Sequence, residues 1–217
     1  MPNPFNLLMR LLVIGSVILW GGYHFQRNLM ESLLPLVRMT ISGVQNDFTI
    51  QSLDIAQRGA SETVRLRANL TRPVAIGGRM FYPIGYRTPY TGGFQVTMTV
   101  GGALSYSLLT LIVALAWPAD TWRTLFKRLA MVVPMMLAIM LINVAVTFPA
   151  ELWTPIHKDW VPDIAWPLLE WSKILMGGGG LILGLLCGAI AIAASAPRRP
   201  TATELSRDTP MSLSVSP

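Results

Sequence analysis

The sequence predicts an α-helical integral membrane protein with four transmembrane helices and a small extracytoplasmic β-hairpin or β-sheet inserted between helices 1 and 2. Three observations predict it. Only 13% of the residues are charged and 52% are hydrophobic, whereas soluble domains carry about 25% charged residues. The missing charge is concentrated: residues 88–119, 129–150 and 174–197 hold no Asp, Glu, Lys or Arg. Between the first apolar block and the second, the hydrophobic period changes from helical to alternating.

Residues 5–25 form the first predicted span. Arg10 lies inside it, and a long arginine stem reaches the headgroups while its methylenes stay in the apolar layer. The segment ends in Ile18-Leu19-Trp20-Gly21-Gly22-Tyr23, with no A-x-A-like pair, so it reads as an uncleaved anchor rather than a signal peptide. Residues 26–45 follow as an amphipathic stalk. Leu29, Leu33, Leu36 and Val37 fall at helical spacing, and a bend or restart is expected at Pro35. This segment fits either the bilayer surface or the flank of an external domain.

Residues 46–93 form the extracytoplasmic β region. Apolar and polar residues alternate from Thr63 to Thr71, which puts Val64, Leu66, Ala68 and Leu70 on one face and Arg65, Arg67 and Asn69 on the other. Upstream, the apolar phase shifts between Ile50 and Leu53, so a β-bulge is expected near Gln51 and Ser52. The turn falls at 57–61, and residues 74–82 are a candidate third strand. The rest of the region is rich in Gly, Pro and Tyr, with Tyr82, Tyr86 and Tyr90 suited to a membrane–water interface. Residues 94–100 alternate again and fit either a last strand or the first turns of the next helix.

The second span covers 96–117. A short basic loop, 118–128, carries Arg123, Lys127 and Arg128. The third span, 129–148, is interrupted by Pro134, a candidate kink. The loop 149–173 holds Trp153, Trp160, Trp166 and Trp171, an expected interfacial belt. The fourth span is 174–196, and the tail, 197–217, is too polar to fold alone. Basic residues collect at the termini and in the 118–128 loop, whereas the tryptophan loop is acidic. Both termini are therefore expected in the cytoplasm of a bacterial cell, with the chain in the inner (plasma) membrane. The arginine-rich external region, residues 26 to about 93, stays outside despite its charge, because the rule weakens for segments longer than roughly 60 residues.

The net charge of +6 is explained by these topology signals, without nucleic acid. The single cysteine, Cys187, excludes an internal disulfide and reads as a packing residue within a span. His24 and His157 are far apart, and Asp159 and Asp163 are separated by Pro162, so no catalytic, cofactor-binding or metal-binding set is expected. Two features point to packing within the membrane. Gly180, Gly184 and Gly188 make a flat stripe for a close helix neighbour, and Asn143 is placed to hydrogen-bond across helices. The run 177–180 weakens the start of its helix and is a candidate bend. Outside the membrane, Arg65, Arg67, Arg72, Arg79 and Arg87 are candidates for docking a partner or an anionic headgroup, since guanidinium forks pair bidentately with carboxylates and phosphates.

The layout resembles the small membrane proteins associated with exosortases, particularly the exosortase-H-associated type. The residues that carry the likeness are the anchor at 11–20, Thr88-Pro89-Tyr90 entering the long second span, and the basic run from Trp122-Arg123 to Lys127-Arg128. The resemblance implies a companion of a membrane transpeptidase-like sorting enzyme, and it carries over no functional residues. The expectation is a non-enzymatic accessory or assembly subunit, partnered by the bilayer and by another membrane protein or further copies of itself. The alternative is a small transporter or channel subunit, with a wet path lined by Ser105, Tyr106, Ser107 and Asn143.

Overall fold

The computed structural model describes residues 4–44, 46–59, 61–76, 78–83, 93–119, 121–160 and 167–196, apart from the side chains of Ile76, Arg79, Ile156, His157, Asp159 and Trp160. Helix α1 (Pro4–Val44) leads into a sheet of β1 (Phe48–Arg58), β2 (Ser61–Leu70) and β5 (Gly93–Thr99). A small ribbon of β3 (Val74–Ile76) and β4 (Arg79–Phe81) lies between β2 and β5 in the chain. Helices α2 (Val100–Ala116), α3 (Trp122–Trp160), α4 (Pro167–Ile174) and α5 (Gly180–Ser195) follow. A π turn, Leu175–Gly179, joins α4 to α5.

Three helical segments are long and apolar enough to cross a membrane: α1, residues 122–155 of α3, and the continuous 167–195 stretch. Helix α2 is shorter, at 17 residues, or about 26 Å at 1.5 Å per residue. Helix α1 runs antiparallel to α2, and α5 runs parallel to it. Gly15 and Gly22 of α1 face Ile112 and Leu108 of α2, and Gly180, Gly184 and Gly188 of α5 face Tyr106, Thr110 and Val113 of α2. Helix α2 therefore sits against both α1 and α5, with α3 alongside.

The stalk is the second half of α1 itself, which continues through Pro35 to Val44 without a break. It packs on the sheet through Met30, Val37 and Ile41, with Leu33 beside them; of the expected stripe, Leu29 stays 44% exposed. Strand β2 is central, and its alternation is the reason: Val64, Leu66, Ala68 and Leu70 are all buried against α1, α2 and α3. The expected bulge is present. Ile50 pairs with Ala68 and Ser52 with Arg67, which leaves Gln51 as the extra residue.

Two β expectations shift. Residues 74–81 do not join the sheet but fold back on themselves around Gly78, whose φ of +78° favours glycine. The third strand is β5, which pairs with β2 from Thr63↔Thr99 to Asn69↔Gly93. Residues 94–99 are thus strand, and the helix begins at Val100. Thr99 makes the switch: its hydroxyl accepts from the Gly102 backbone N–H at 3.1 Å, an N-cap that ends the strand and starts α2 in one residue.

The tryptophan loop also differs from expectation. Residues 149–160 continue α3 as helix, with Pro134, Pro149 and Pro155 inside it. The helix also starts earlier than expected, at Trp122 within the basic segment. The run of glycines does bend the last helix: Gly178 has φ +116° within the π turn.

Candidate functional site

The sheet presents a polar face away from its core, and this face is the candidate interaction surface. Strand β2 supplies Arg65, Arg67 and Asn69; register places Asp54 and Ser52 of β1 opposite the two arginines on one side, and Thr97 and Gln95 of β5 on the other. Arg65 is committed within the fold. Its Nε and Nη2 donate to the two carboxylate oxygens of Asp54 at 2.9 and 3.3 Å. That hydrogen bond, and then the carboxylate's charge, raises the guanidinium above its ordinary pKa. Arg72 likewise donates to Asp47 at 2.8 Å across the end of the hairpin. Such exposed pairs contribute about 0–1 kcal/mol each. Their effect here is to leave Arg67, exposed at the middle of β2, without an ion pair among the described residues, as is Arg58 at the hairpin end of β1. The Arg79 side chain and all of Arg87 lie outside the described residues.

The sheet is held rigidly to the helices. Phe48 of β1 meets Trp153 of α3 edge-to-face at 5.0 Å and Phe94 of β5 at 5.5 Å. Trp153 is therefore a core residue, 2% exposed, and not a member of an interfacial belt. The cause is the extension of α3, which carries Phe148, Leu152 and Trp153 up beneath the sheet. Trp171 is exposed, as a belt residue should be. The Trp160 side chain and Trp166 lie outside the described residues, as do the His157 and Asp159 side chains, Asp163, Tyr86, Tyr90 and the tail.

The four polar residues expected to line a wet path, Ser105, Tyr106, Ser107 and Asn143, are drawn into helix contacts. Asn143 donates to the Gly102 and Ala103 carbonyls of α2, both at 3.4 Å, and accepts from Thr147. Ser107 donates to the Met136 carbonyl at 2.9 Å. Tyr106 donates at 3.1 Å to the Leu175 carbonyl, which also accepts the Gly180 backbone N–H that closes the π turn. Ser105 turns back to the Gly102 carbonyl of its own helix. The glycine stripe is an internal contact with α2: a Cβ on Gly184 would meet the Tyr106 carbonyl oxygen at 2.8 Å. Cys187 is half-buried in α5.

One residue was missed by sequence reasoning. Arg128 is 2% exposed. Its Nη1 donates to the Ala114 and Trp117 carbonyls at 2.9 and 2.6 Å, and its Nε to the Ser195 hydroxyl at 3.1 Å. It thus caps the end of α2 and ties it to the end of α5. The only available signal was a cation shortly after a helix that stops at Pro118, and topology explained that charge equally well.

Together the helices and sheet define a helical protein of membrane type with a small antiparallel sheet at one end. No protein-family profile, curated protein or solved structure matches the chain.

Proposed function

We propose that the chain is a four-span accessory or assembly subunit of a bacterial inner-membrane complex, linked to protein sorting or export, that docks a partner through the outer face of its external sheet. The observation that carries this reading is the exposed, uncommitted Arg67 on a sheet bolted to the helices through Phe48 and Trp153. Rigid elements hold a recognition group more accurately than loops. Helix α2 crosses with the other three because it is packed between α1 and α5, and its short length is made up by the lead-in strand and Trp117 at its ends.

The partner surface expected opposite Arg67 is acidic. In mild detergent the full-length protein should co-purify a membrane partner, and Arg67→Glu should lower the recovered partner at least roughly tenfold, with circular dichroism unchanged. Equal recovery from both proteins would remove the docking reading. A second reading, a transporter or channel subunit, is favoured by the π turn and Gly178 kink near the end of an apolar helix, a break that transporters use. It requires ion or solute flux in vesicles containing this chain alone. The commitment of Asn143, Ser107 and Tyr106 to helix contacts supports the accessory reading instead.

A further inference from the structure

A cleft of about 360 Å³, its surface mostly apolar and including Leu169, with five polar side chains set into it, opens between the sheet-side ends of α3 and α4. One wall carries Glu151, Thr154 and Lys158 of α3; the other carries Ser172 and Lys173 of α4, with Met176 of the π turn below them. Glu151 is the first charge after the uncharged 129–150 stretch, and Lys173 is the last before the uncharged 174–197 stretch. Two independent boundaries of apolar sequence therefore meet in one cleft. That fixes its depth at the level where hydrocarbon gives way to headgroups. Beneath it, Ile174, Met176 and Leu181 are exposed and apolar.

The polar groups in the cleft are not used up by the fold. Ser172 is only 5% exposed, yet its hydroxyl has no hydrogen bond to a described residue. Glu151 and Lys158 make no ion pair among the described residues. The Thr154 hydroxyl donates to the Ala150 carbonyl at 2.8 Å, so its oxygen remains free to accept. Lys173 pairs with Glu170 at 2.7 Å, and an ammonium has further protons to donate. The two lysines and the two carboxylates, Glu151 and Glu170, cancel in charge.

We infer that this cleft holds the headgroup of a phospholipid bearing both a phosphate and a primary ammonium, that is, phosphoethanolamine. The phosphate takes the Lys158 and Lys173 ammoniums and the Ser172 hydroxyl. The lipid ammonium donates to the Glu151 carboxylate and the Thr154 oxygen. The acyl chains run down the surface of Ile174, Met176 and Leu181. A glycerol headgroup leaves the Glu151 carboxylate without a cation, and a choline headgroup has no N–H to give it, so both are disfavoured. The inference needs the helices to lie in a bilayer but not the docking role of Arg67, so either idea can fail without the other.

The test is native mass spectrometry on the full-length protein after equilibration with vesicles of equimolar phosphatidylethanolamine, phosphatidylcholine and phosphatidylglycerol. Phosphatidylethanolamine should be retained roughly tenfold over the other two. Glu151→Gln should abolish that preference, and Lys158→Gln with Lys173→Gln should lower retention of all three lipids. Ser172→Ala, which removes one hydroxyl and nothing else, should reduce phosphatidylethanolamine retention without changing the melting temperature of the delipidated protein. Equal retention of the three lipids by the wild type, or an undiminished preference in Glu151→Gln, overturns the assignment.

Discussion

Arg128 concentrates at one side chain a job that two helix ends would otherwise leave undone. The last carbonyls of a helix have no intrahelical donor, and those of Ala114 and Trp117 are taken by one guanidinium, which also reaches Ser195 on α5. Hydrogen bonds from a charged donor contribute about 1.5–3 kcal/mol each, and stranded buried carbonyls add a penalty. Arg128→Met should therefore lower the unfolding free energy in mixed micelles by about 3 kcal/mol. Arg128→Lys should recover less than half, because a point ammonium cannot span both α2 and α5 as a planar fork does. A loss under about 0.5 kcal/mol, the range of ordinary surface changes, would show that the clamp is idle. The residue was invisible in the sequence because a cation beside a loop has the same appearance whether it faces water or plugs a helix end. The bulge at Gln51 was visible for the opposite reason: an extra residue in a strand must shift the apolar phase, and the shift is written in Ile50 and Leu53.

At the scale of elements, α2 is the member on which the others are assembled. It receives its start from Thr99, its end from Arg128, and close neighbours on two sides. The glycine stripe of α5 was legible as a contact surface, but periodicity gives no partner, and a second copy of the chain fitted it as well as α2 does. The structure assigns it inward. Gly184→Val should cost about 2 kcal/mol, since its Cβ would be driven against the Tyr106 carbonyl oxygen, which is backbone and cannot swing aside. Gly21→Ala is the control: nothing lies within 4 Å of the added Cβ, so it should be neutral or stabilising by up to about 1 kcal/mol through helix propensity. Thermal melts of the two variants in one detergent check both signs. The prolines of α3 misled for a related reason. Pro149 and Pro155 argue for a loop on propensity alone, yet the packing of Phe148, Leu152 and Trp153 beneath the sheet keeps the helix continuous through them.

For the whole molecule, the open question is which side of a bilayer each piece occupies, and α2 decides it. Arg67 precedes α2 and Trp122 follows it; Arg67 and Trp122 are both exposed, Trp122 at 75%. If α2 crosses, the two positions lie on opposite faces. In a C187S background, R67C should react with a membrane-impermeant maleimide on intact cells, and W122C only after the membrane is opened. Reaction of both from the same side would mean that α2 enters and leaves on one face. That outcome would also strand Arg128 and the end of α5 at the wrong depth, since α2, α3 and α5 are tied together at Arg128. The labelling result therefore bears on more than a count of spans. Arg128 joins α3 to the ends of α2 and α5, so a different placement of α2 would have to move those ends with it.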